Sequence, residues 1–88
     1  MTLPDKMEMK EIHRNGAYRV LRLRLASGET MPRHFAATDA FVIAQEGKAE
    51  IVFPDRRIAL VPGSTQPIPV REPHSLTASE DFTAFVIL

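Results

Sequence analysis

Gly28-Glu29-Thr30-Met31-Pro32-Arg33-His34 decides how this chain reads, together with the strand that follows and closes at Glu46-Gly47. Glycine permits a tight turn and proline fixes φ, so the histidine after them arrives at a strand start in a set direction. A second stretch repeats the arrangement, with Gly63, Pro69 and His74 in the same order. Each such unit predicts one imidazole aimed into a pocket.

The sequence around them is strand-like. In Ala17 to Ala26, Leu21, Leu23 and Leu25 face one way and Arg22 and Arg24 the other, the period-2 pattern of a half-buried strand. Tyr18 and Val20 are out of phase with Leu21, which predicts a bulge near Val20-Leu21. The two arginines read as a solvated strand face rather than an anion-binding stripe. Phe41 to Gln45 is an apolar run of the kind buried on both faces. Ala49, Ile51 and Phe53 share a face, Pro54-Asp55-Arg56 makes a hairpin turn, and Arg57 to Val61 returns. Pro62-Gly63 turns again, and Pro67, Pro69 and Pro73 exclude a helix through the next stretch. His74 to Thr77 and Phe82 to Leu88 close the pattern. Short strands at regular spacing predict an all-β sandwich or barrel over residues 17–88. Residues 1–16, ending in the Asn15-Gly16 turn, read as an N-terminal arm or short strand.

Composition narrows the function classes. Eighty-eight residues, 44% of them hydrophobic, make one small domain with a core. There is no cysteine, so neither disulfides nor thiolate metal sites are available. Eleven basic and eleven acidic residues cancel, which argues against nucleic acid and anionic membranes as partners. No apolar run approaches the roughly 20 residues of a membrane span. Met1 to Lys10 lacks the apolar core of a signal peptide, so a cytoplasmic protein is expected.

The two histidine stretches resemble the cupin superfamily, whose small members are single double-stranded β-helix, or jelly-roll, barrels. The family's first motif runs G-x5-H-x-H-x3,4-E-x6-G and its second G-x5-P-x-G-x2-H-x3-N. Gly28, His34 and Gly47 fit the first, and Gly63, Pro69 and His74 fit the second. In metal-bearing members two histidines and a glutamate of the first motif join the histidine of the second. Here the second histidine's place is held by Ala36 and the glutamate's by Ala40. The second motif's later glycine and its asparagine are Arg71 and Ala78.

Half of the metal shell that the resemblance implies is therefore missing. Protein zinc sites use at least three protein ligands, and oxygenase iron sites commonly two histidines with a carboxylate. A divalent ion (Zn, Ni, Mn or Fe) held by His34 and His74 alone would be held weakly. Asp39, Gln45 or Glu80 could replace a ligand, but if Ala40 points inward, parity turns Asp39 and Gln45 outward.

The expectation is a ligand pocket lined by His34, Ala36, Ala40, Val42, His74 and Leu76, which takes a small organic molecule. The alternative is a metal-dependent enzyme of the dioxygenase, isomerase or decarboxylase kind, with His34 and His74 plus a ligand from outside the family positions. A purely structural or regulatory role ranks last, because no tail, charge patch or recruitment motif accompanies the barrel. Met31 reads as core packing, Arg71 as a surface loop residue, Pro69 and Pro73 as structural, and His13 as solvated. Phe41 and Ile43 oppose Ala40, Val42 and Ala44 in parity, and Phe85 and Ile87 oppose Ala84, Val86 and Leu88. Strands apolar on both faces need cover on both, and a homodimer would supply it.

Overall fold

The computed structural model describes residues 7–88, and among them the chain is all-β. Nine strands follow in order: β1 (Glu8–Arg14), β2 (Arg19–Leu25), β3 (Thr30–His34), β4 (Ala40–Glu46), β5 (Ala49–Phe53), β6 (Arg56–Leu60), β7 (Thr65–Ile68), β8 (His74–Ala78) and β9 (Phe82–Ile87). They form a five-stranded sheet, β1-β2-β9-β4-β7, and a four-stranded sheet, β3-β8-β5-β6, with every pairing antiparallel. Apart from the β1–β2 and β5–β6 hairpins, consecutive strands pass between the sheets, as in a jelly roll.

The inner faces follow the alternation of the sequence. Leu23 and Leu25 of β2, Ala49, Ile51 and Phe53 of β5, and Phe82 and Ala84 of β9 are all buried. These side chains interdigitate between the sheets, and their removal from water is the main stabilising term of a disulfide-free domain. Gly47 makes the tightest approach. Its φ is +77°, and a Cβ there would overlap the Asp81 carbonyl oxygen, so only glycine lets the turn after β4 pass under the turn before β9.

Three expectations need correction. The bulge predicted at Val20-Leu21 sits instead on the partner strand: β1 shifts register between Glu11 and His13, while β2 runs unbroken against β9 from Val20 to Leu25. The irregularity was legible in β2 because the extra residue of β1 lies opposite it. Second, β4 is buried on one face only. Ala40, Val42 and Ala44 are inside, but Phe41 is 38% exposed and Ile43 half-buried. Third, His34 ends its strand rather than starting one. The stretch in which Pro67, Pro69 and Pro73 exclude a helix holds instead the strand Thr65–Ile68. It is an edge strand, where a missing N–H costs no ladder bond. The expected arm is in part an edge strand too, since β1 pairs with β2 along its length; residues 1–6 lie outside the described part.

The loop before β8 carries one strained residue. Arg71 has φ +64°, the one non-glycine residue at positive φ among those described, at the position where the resemblance places glycine. Its N–H donates to the Ala36 carbonyl at 2.9 Å, and Asp39 Oδ1 accepts from the Val70 N–H at 2.8 Å. These two bonds tie the loop to the segment between β3 and β4 and hold Arg71 in the left-handed region. Arg71→Gly is expected to raise the unfolding free energy in urea by about 0.5–1 kcal/mol, since the αL cost disappears while added chain entropy offsets part of it.

Candidate functional site

The site begins with an irregularity in β3. Met31 pairs with Leu76 and His34 with His74, so Pro32 and Arg33 together face only Ser75. Plain alternation from buried Met31 would turn His34 to the opposite face. The extra residue reverses that parity and brings His34 to the side of Met31. Proline helps to place the bulge, because it lacks the N–H that a regular ladder would use at that point.

His34 and His74 consequently lie side by side across β3 and β8, with ring centroids 4.5 Å apart and ring planes inclined by 57°. His74 is 4% exposed, the one buried polar or charged residue among those described, whereas His34 is exposed. Each ring is oriented by a carbonyl two residues before it: Nδ1–H of His34 donates to Pro32 O at 2.9 Å, and that of His74 to Glu72 O at 3.0 Å. A carbonyl can only accept, so both neutral rings carry the proton on Nδ1 and leave the Nε2 lone pair free.

Burial holds the pKa of His74 below the ordinary histidine value. Its bond to the Glu72 carbonyl opposes that shift, and the neighbouring His34 reinforces it. Glu72 is itself clamped. Arg56 donates to both its carboxylate oxygens at 3.0 and 3.1 Å, donates to Asp55 at 2.7 Å, and lies 3.9 Å over the Phe53 ring. Phe53 in turn stands 6.1 Å from the His74 ring. Arg56 thus joins the β5–β6 turn to the loop that orients His74. Sequence reasoning missed this group, since an arginine in a hairpin turn carries no local sign of a partner sixteen residues away.

Behind the imidazoles lies a cavity of about 70 Å³. The six residues expected to form a pocket, His34, Ala36, Ala40, Val42, His74 and Leu76, all line it. Met31 does as well, so it packs in the core and also faces the void. Met9 of β1, which the sequence did not point to, covers another side. A larger groove of about 480 Å³ runs past Phe41, Pro67 and Ile87 on the outside. It is open, and its one carboxylate, Asp39, already accepts from Val70.

The residues proposed as replacement ligands do not reach the pair. Asp39 and Gln45 are exposed outside the cavity, and Glu80 lies 3.8 Å from Lys48 at the turn before β9. Among the described residues, no three histidine, aspartate or glutamate side chains gather as a metal would require. Two free Nε2 atoms are half a shell, so the residues present do not fit the metal centre that the resemblance implies. Arg71 is exposed and does not line the cavity, and His13 rests beside Tyr18 at 5.8 Å, on the surface.

Comparison with known proteins agrees with this architecture. Neither a protein-family model nor a curated protein matches the sequence. Among solved structures, a cupin superfamily protein from Desulfitobacterium hafniense DCB-2 superposes with a TM-score of 0.87 at 20% identity, covering 99% of this chain and 80% of that one. A cupin-2 domain containing protein from Shewanella frigidimarina NCIMB 400 superposes at 0.82 with 26% identity, over 92% and 78% of the two chains. A DMSP lyase from Ruegeria pomeroyi DSS-3 does so at 0.84 with 18% identity, over 92% of this chain and 45% of the lyase. The fold class is a jelly-roll barrel with two antiparallel sheets. Within that class its fold is that of the small cupin proteins on which it superposes.

The buried imidazole has a consequence for stability. A folded His74 with lowered pKa binds a proton less readily than the unfolded chain, so stability is full above the ordinary histidine range of about 6.5. It falls as the pH drops through that value and levels off below the folded pKa, because the unfolded state takes up the proton first. Urea unfolding at pH 8 and pH 5.5 is expected to show this loss in the native chain and a smaller one in His74→Phe.

Proposed function

We propose that this cupin barrel binds a small organic molecule in its interior, with His34 and His74 as the orienting polar groups and without a resident metal centre. The reading is carried by one observation: walls of Met31, Ala36, Ala40, Val42 and Leu76 converge on two imidazoles with free Nε2 atoms. Apolar walls with a few placed polar groups are the usual form of a small-molecule site. Alanine at positions 36 and 40 leaves volume where longer side chains would stand. Several enzymes share this fold, but a shared barrel does not transfer a reaction. The cytoplasm is the setting this reading assumes.

The size of the void limits the guest. A cavity of roughly 150 Å³ takes a benzene ring, and this one offers about 70 Å³, so a compact molecule or the narrow end of a larger one would fit. Ala36→Leu is expected to fill the void, weakening binding of any hit from a small-molecule thermal-shift screen by at least about tenfold while the barrel still folds. A hit that binds Ala36→Leu as well as the native chain would place the site elsewhere.

The same reading includes a homodimer through the outer face of the five-stranded sheet. Phe41 pairs with Ile87 and Ile43 with Phe85, so the four outward apolar residues make one contiguous patch. Arg22 pairs with Phe85 at its border, and its Nε is sealed from solvent without a hydrogen-bond partner. Light scattering at micromolar concentration should give twice the monomer mass, and Phe41→Glu should give the monomer mass. A monomer in the native chain would exclude this interface.

A further inference from the structure

Among the described residues, the polar side chains that line the cavity are of one kind, the two imidazoles of His34 and His74. Both Nδ1–H groups are committed to backbone carbonyls, Pro32 O and Glu72 O. What remains is two Nε2 lone pairs, on rings whose centroids lie 4.5 Å apart, in a cavity otherwise lined by aliphatic side chains and methionine. Among the described residues, no arginine, lysine, serine or threonine lines the space. The neutral site therefore accepts and does not donate.

We propose that the His34–His74 pair selects small neutral molecules carrying N–H or O–H donors, primary amides above all, and discriminates against carboxylates of the same shape. This deepens the interior-binding reading and rests on it. A planar NH₂ group whose hydrogens diverge by about 120° reaches acceptors about 5 Å apart, a span commensurate with the two rings. A carboxylate brings lone pairs to lone pairs, and its charge enters an apolar void without a donor to satisfy it. A ketone of equal size meets the walls equally well but leaves both Nε2 atoms unpaired. The backbone carbonyls set this preference: they hold the two rings in the same tautomer, so neither can turn a donor toward the guest without losing its own bond.

The test uses three molecules of four heavy atoms each, acetamide, acetate and acetone, titrated into the whole chain at pH 8. Histidine side-chain ¹⁵N shifts and amide shifts are followed by NMR. Acetamide is expected to bind at least about fivefold more tightly than acetone, in line with one or two net hydrogen bonds. It should also move the Nε2 resonances of both rings, and acetate should bind at least about tenfold more weakly than acetamide. His34→Leu, at an exposed position that spares the core, removes one of the two acceptors and should cut the preference for acetamide over acetone at least about twofold. Acetone equal to acetamide, acetate equal or tighter, or a preference undiminished in His34→Leu would overturn the selection while leaving the interior site in place. Silence from all three in the cavity-lining resonances would overturn the selection and the interior-binding reading together.

Discussion

One extra residue in β3 sets the chemistry of this barrel. Between Met31 and His34 the strand carries Pro32 and Arg33 opposite the single residue Ser75. Without that bulge the alternation that buries Met31 would send His34 to the other face. With it, His34 reaches the ring of His74, and its Nδ1 finds the carbonyl of Pro32. A bulge costs ladder hydrogen bonds, and the proline at this one lacks the N–H that would otherwise be left unpaired. The same residue thus permits the irregularity and supplies the acceptor that orients the ring.

His74 is held by a longer chain of contacts. Its orientation depends on the Glu72 carbonyl, the Glu72 carboxylate depends on Arg56, and Arg56 lies on Phe53 of the inner sheet. On the other side of the loop, the Ala36 carbonyl and the Asp39 carboxylate take the N–H groups of Arg71 and Val70. Asp39 is therefore a brace for the loop rather than a ligand. The left-handed conformation of Arg71 persists because neighbouring bonds over-determine it. The second imidazole is thus placed as firmly as the first by groups outside the cavity.

The barrel departs from a metal-bearing design by subtraction. Alanines at 36 and 40 leave the strand paths undisturbed and remove donors from the neighbourhood of the two rings. A half-shell of imidazole in an apolar void holds an ion poorly, and in the function proposed above it serves to orient a small guest. On the outside, the five-stranded sheet shows a different excess: Phe41, Ile43, Phe85 and Ile87 form a patch that one chain does not cover. An inner face poor in polar groups and an outer face rich in apolar ones both follow from strands that are apolar on either side.

Much of this protein could be read in its sequence. The alternation of Leu21, Leu23 and Leu25, the shared face of Ala49, Ile51 and Phe53, and the glycine and proline punctuation all reflect local sterics and the period of a strand, which a sequence displays directly. The two histidine stretches and strand parity point to six residues that line the cavity, but not to Met9, Leu23, Ile51 or Leu60, which line it too. Where the sequence misleads or is silent, the cause is pairing between distant segments. The β1 bulge reads as one in β2, and Arg56 gives no sign of Glu72. Register, ring tautomer and the one-sided burial of β4 belong to contacts across sheets. Only the folded chain decides those, because each depends on which strand lies alongside and how many residues it contributes to the pair.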